Sequence, residues 1–229
     1  MMDLRAVAPQ EARYGSSAVW ARWRTECGTL RGCRVAMTSA APSGAGSLVS
    51  PMKAVATTPP CNFGATAIFD IAERVGKRHG FDGGHKHDVH DLARSLGGRI
   101  CYVEFAVGVD AESLTVFDDA DFEIRLHDYT SPARDTFTVG HELGHLFLHY
   151  LLPKAEGQLV QTPAKFNRFG NDLAEVEANW FSSALLMPRK AFVAAWKKHP
   201  TNVRAVANHF GVSRAAAEVR AKLLNLTAD

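Results

Sequence analysis

The sequence has no CxxC pair, no apolar run near the ~18 to 20 residues that a membrane-spanning helix needs, and almost no net charge. Each absence narrows the reading. Cys27, Cys33, Cys61 and Cys101 are the four cysteines, and three of them fall in an N-terminal stretch that does not read as folded. They are expected to be reduced thiols. The start, "MMDLRAVAPQEARYGSS", lacks an apolar h-region, so a secretory signal is not expected and the cytoplasm is the expected compartment. A formal charge of +2 argues neither for nor against nucleic acid, and no membrane contact is expected.

What remains is ordinary globular material in 229 residues, 46% hydrophobic and 22% charged, enough for one sizeable domain with a small appendage. Residues 1–60 stand apart. "TSAAPSGAGSLVSPMKAVATTPPC" is rich in Ala, Ser, Pro, Thr and Gly without a sustained period, and reads as a disordered or non-native extension, with Met52 a plausible true start. The basic "VWARWRTECGTLRGCR" before it would alternatively be an arm for nucleic acid.

From Ala65 the pattern turns globular. "TAIFDIAERVGKRHG" and "DVHDLARSLGG" have helical spacing, the second opened by Asp88 and closed by Gly97 and Gly98. "RICYVEF", "ESLTVFDD" and "DFEIRLHDY" read as strands, the last with Phe122, Ile124 and Leu126 on one face. A long helix is expected over 131–152, stopped by Pro153. A loop follows, then the helix "NDLAEVEANWFSSALLMP" and further helices to the C-terminus. The fold class is α+β: a small mixed or antiparallel sheet packed on a helical core, then a helix-turn-helix-like unit. The expected division is residues 1–60, 61–199 and 200–229.

The long helix carries "FTVGHELGHLFLHYLLP". His141 and His145, four positions apart, lie one above the other on a helix and can present two imidazoles to one cation. Glu142 is rotated ~100° from His141, close enough to take a proton from a water that the cation acidifies. This is the HExxH pattern. Gly144 leaves room beside the histidines. His149 stands ~12 Å along the axis from His141, too far to share the ion, and a packing or supporting role suits it better. A third ligand then comes from elsewhere. Glu175 and Asn179 share a face at i and i+4, so Glu175 could ligate while Asn179 orients an imidazole. Asp172 and Glu175 also read as a capping box, and Glu177, pointing roughly opposite, is the next candidate ligand.

"FTVGHELGHLFLH", "EVEANWFSSALLMP" and "VANHFGVSRAAAEVRAKLL", in that order, resemble the ImmA/IrrE family of zinc metallopeptidases over residues 88–226. The resemblance implies Zn²⁺ held by His141, His145 and Glu175, with Glu142 as general base. Asn179 stands where many relatives of that class have Asp. It also implies an endopeptidase acting on a regulatory protein substrate, a helix-turn-helix repressor in phage, mobile-element or stress-response control. The alternative is a non-enzymatic zinc-containing regulator, or a toxin–antitoxin-associated protein, binding DNA or a partner protein.

Three further features complete the reading. "NVRAVANHFGVSRAAAEVRAKLLNL" has a helix-turn-helix shape, with Gly211 at the turn and Ser213 as cap. Its second helix offers Arg214, Arg220 and Lys222 but few base-reading side chains, so DNA contact competes with simple packing. The histidines His79, His85, His87 and His90 sit around a glycine pair and read as a surface turn. His127, Tyr129 and Tyr150 are the sequence-near candidates for stabilising an oxyanion.

Overall fold

The computed structural model describes residues 59–84, 87–104, 112–167, 173–200 and 202–226, all within the compact unit Ala54–Asp229. The expectations for residues 1–58, with Cys27 and Cys33, for His85 and for the Asp172 half of the capping box lie outside the described residues.

Helix α1, Ala65–Arg78, buries Ile68, Ile71, Ala72 and Val75 along one stripe and ends on Lys77 and Arg78, cations that suit a helix C-terminus. Helix α2, Val89–Ser95, starts at Asp88, whose carboxylate accepts from the His90 N–H at 2.8 Å. It leaves through Gly97, at φ +93, where an added Cβ would meet the Ala120 carbonyl oxygen at 1.9 Å. Only glycine serves there.

The strands β1 (Gly98–Val103), β2 (Glu112–Asp118), β3 (Asp121–His127) and β4 (Ala164–Asn167) form one mixed sheet in the order β1-β3-β2-β4. β1 runs parallel to β3; β2 is antiparallel to both β3 and β4. The alternation expected of β3 holds, with Phe122, Ile124 and Leu126 buried. β4 falls inside what the sequence suggested was a loop. Its four residues become a strand because β2 has a free edge, and Phe166 is buried beneath it.

Helix α3, Pro132–Gly144, starts at the Ser131 cap with proline in its first turn. The expected single helix to 152 is instead three pieces. A π-helical stretch, His145–Leu151, follows α3, and a short α4, Leu152–Ala155, follows that. Pro153 does not stop the chain: it sits in the first turn of α4, where a backbone N–H is dispensable, after a widened turn in which the Leu152 N–H bonds the Phe147 carbonyl.

Helix α5, Leu173–Leu186, lies between α1 and α3. It packs so close to α3 that a Cβ on Gly144 would stand 2.9 Å from Ala178 Cα, and one on Gly140 2.6 Å from Ser182 Oγ. The room left by Gly144 therefore admits α5 rather than simply freeing space beside the histidines. Helices α6 (Arg189–Lys198), α7 (Val203–Phe210) and α8 (Arg214–Leu223) complete the fold. Gly211 turns α7 into α8 at φ +65, and the Ser213 hydroxyl accepts from the Ala216 N–H. No helix among the described residues is long and apolar enough to cross a membrane. The described cysteines, Cys61 and Cys101, are unpaired.

Candidate metal centre

The close α3–α5 contact brings Glu175 to the motif histidines. His141 Nε2 and His145 Nε2 stand 3.0 Å apart, and Glu175 oxygens lie 3.2 Å from the first and 3.1 Å from the second. Ligand atoms sharing one ion at about 2.0–2.1 Å stand roughly 3 to 3.5 Å apart, so this triangle fits a single cation.

The other ring nitrogens explain why the Nε2 atoms converge. His141 Nδ1 is 3.0 Å from Asn179 Oδ1, which can only accept, so Nδ1 carries the proton. His145 Nδ1 is 3.0 Å from His149 Nδ1, and His149 Nε2 is 2.9 Å from a Glu177 oxygen. A consistent network has His149 donating to Glu177 and accepting from His145. Both Nε2 lone pairs then face the same point beside a carboxylate, as a cation site requires.

The carboxylate and the imidazoles compensate one another's charge. Burial alone would raise the pKa of Glu175, but the hydrogen bonds and charges of His141 and His145 bring it down to about 2. Burial pulls His141 down, and Glu175, Glu142 and Asn179 together leave it raised. Burial holds His149 below its ordinary value against the raising effect of Glu177, with His145 adding to the lowering. A neutral His149 is what its accepting Nδ1 needs.

Glu142 is 1% exposed, and its Oε2 is buried with no hydrogen-bond partner among the described residues. Such an oxygen costs about 1 to 3 kcal/mol. It borders a cleft of about 840 Å³ that is also lined by His141, Glu175 and Asn179, where a reacting water would give it a partner.

Glu177 stands on the other side of α5. Its two oxygens accept from the backbone N–H groups of Cys61 and Asn62, each at 2.8 Å, as well as from His149. Cys61, His149 and Glu177 are close enough to share an ion. Both oxygens of the carboxylate are already engaged, however, and burial and the Glu177 charge push the Cys61 thiol up to about 12. These bonds form a latch that ties residues 61–62 to α5 beside His149. Sequence reasoning missed that latch, because its members lie 115 and 116 positions apart.

Of the other histidines, His87 pairs with Asp82 and His90 with Asp88. The three oxyanion candidates from the sequence do not reach the cleft: His127 pairs with Asp128, Tyr129 is 79% exposed, and Tyr150 is buried near Lys154. The cleft instead holds residues that the sequence did not single out, among them Val176 and Trp180 of α5 and Val219 of α8.

The model of the IrrE N-terminal-like domain family, Peptidase M78, matches residues 94–222, more than half of the chain. The chain belongs to that metallopeptidase family. A transcriptional regulator of Mycobacterium tuberculosis is similar in structure at 18% identity and a TM-score of 0.47, over 66% of this chain and 45% of that one. The chain thus spans less than half the length of that solved structure. No curated protein matches the chain.

Proposed function

We propose that the protein is a zinc-dependent endopeptidase of the HExxH type, with His141, His145 and Glu175 as metal ligands and Glu142 as general base. The observation that carries this reading is the 3.0–3.2 Å triangle of two imidazole nitrogens and one carboxylate, with the unpartnered Glu142 oxygen bordering the same cleft. When bound, the ion acidifies a water and polarises the substrate carbonyl. Glu142 takes the proton of the attacking water on a carboxylate oxygen and delivers it to the departing amine. Asn179 and His149 hold the two ligand imidazoles in the tautomer that leaves Nε2 free, and Glu177 holds His149.

The substrate is a regulatory protein, and the resemblance to the ImmA/IrrE family points to a helix-turn-helix repressor. The test is to express the full chain beside the repressor encoded nearest to its gene and follow that repressor by immunoblot. Wild type should cleave it, while Glu142→Gln should retain stoichiometric zinc and lose cleavage by at least about 100-fold. Undiminished cleavage by Glu142→Gln would sink the mechanism.

A further inference from the structure

Helix α8 occupies the position of a recognition helix in a helix-turn-helix, whose N-terminal residues would reach base edges. In the N-terminal turns of α8, the Ser213 cap, Ala215, Ala216 and Val219 line the cleft that contains His141, Glu142 and Glu175, and Arg214 does not. Ser213 spends its hydroxyl on the Ala216 N–H at 3.1 Å, and the other three lining side chains have no donor or acceptor. None of the helix's three cations, Arg214, Arg220 and Lys222, is among the residues that line the cleft. Arg220 is fully buried, and Arg214 pairs with Glu218 at 2.7 Å.

The orientation of α8 is set by that buried arginine. Arg220 Nε donates to the Met187 carbonyl at 2.9 Å, its Nη2 donates to Glu73 Oε1 at 3.3 Å, and its guanidinium lies 4.7 Å from the Phe69 ring centroid. With Ala217, Arg220 and Ala221 buried, helical spacing turns Ala215 and Val219 outward onto the cleft.

We propose that α8 is the specificity wall of the peptidase cleft, and that it selects substrates with bulky, uncharged, apolar side chains beside the scissile bond. This rests on the peptidase reading of the metal centre. Val219 and, on α5, Val176 are 53% and 41% exposed, apolar surface that a substrate side chain would cover. The alanines on α8 leave volume for a large group, and about 840 Å³ accommodates several side chains. Among the lining residues Arg134 is the only Arg or Lys, and the acids are Glu142 and Glu175. On the α8 wall itself, Ala215, Ala216 and Val219 offer a charged substrate side chain no counter-ion; Arg134 stands on α3.

The experiment titrates two decapeptides into zinc-loaded Glu142→Gln full-length chain by calorimetry. One carries a central leucine–leucine–phenylalanine and the other a central triplet of acidic residues. The apolar peptide should bind at least ten-fold more tightly. Adding Val219→Arg, at an exposed position, should weaken it at least ten-fold at unchanged zinc content, whereas Glu218→Ala, on the same helix outside the cleft, should not. Equal binding of the two peptides, or indifference to Val219→Arg, would overturn the proposal. Salt-dependent binding of duplex DNA that Val219→Arg alters and the apolar peptide fails to displace would also overturn it, in favour of a DNA-reading helix. Apolar selectivity in binding with no cleavage by wild type would sink the peptidase reading and still support the α8 wall.

Discussion

His149 illustrates how much one side chain's role depends on its second nitrogen. Its distance from His141 removes it from the proposed ligand set, yet its ring stands 3.0 Å from His145 Nδ1 and 2.9 Å from Glu177. Losing it leaves the His145 Nδ1–H without an acceptor and Glu177 without its imidazole. Outer partners of this kind are worth about 10- to 100-fold in metal affinity. His149→Phe should therefore lower zinc affinity by that amount in a chelator competition titration while the far-ultraviolet circular dichroism stays native. Glu175→Ala should instead abolish stoichiometric binding. Equal zinc affinity in wild type and His149→Phe would show that the Glu177–His149 chain does not orient His145.

At the scale of elements, the site exists because α3 and α5 touch backbone to backbone. An added Cβ at Gly144 meets Ala178 Cα and carbonyl oxygen at 2.9 and 3.0 Å, atoms that cannot rotate away. Overpacking of this kind costs about 1 to 3 kcal/mol, more than the ~1 kcal/mol that Ala gains over Gly in helix propensity. Gly144→Ala should lower the melting temperature and also weaken zinc binding, since the displaced helix carries Glu175. Gly140→Ala meets a rotatable hydroxyl, Ser182 Oγ, which donates to the Phe137 carbonyl at 2.9 Å. It should cost less stability than Gly144→Ala in the same thermal melts. A reversed order would place the critical contact at Gly140.

For the whole molecule, two long-range ties should govern stability. Arg220 fastens α8 to α1 and to the end of α5, and burial drags its pKa down to about 10, so it stays charged at neutral pH. Arg220→Ala removes the carbonyl bond, the Glu73 pair and a large buried volume together, at a cost of about 3 to 5 kcal/mol. Chemical denaturation should show that loss, and a change under about 1 kcal/mol would mean that α8 is held by its apolar contacts alone. The second tie would be the proposed metal ion. A ligand that binds only the folded chain stabilises it by about 4 kcal/mol at 1,000 times its dissociation constant, so chelation should lower the melting temperature and zinc should restore it. In Glu175→Ala the chelator should have little effect.

The local geometry was legible in the sequence. Four-residue spacing on a helix pairs His141 with His145 and Glu175 with Asn179 whatever surrounds them, and alternation marks β3 because the side-chain period of a strand is two. Relations that depend on nonlocal contacts were not legible. β4 exists only against the free edge of β2, and the widened turn after His145 takes up a proline that should have ended the helix. Glu177 meets backbone groups more than a hundred positions away. The inward turn of Arg220, which faces the alanine stripe of α8 toward the cleft, depends on partners on α1 and at the end of α5. Helical and strand periods are set by the backbone of each segment, whereas burial and hydrogen-bond pairing are settled only when distant segments compete for the same space.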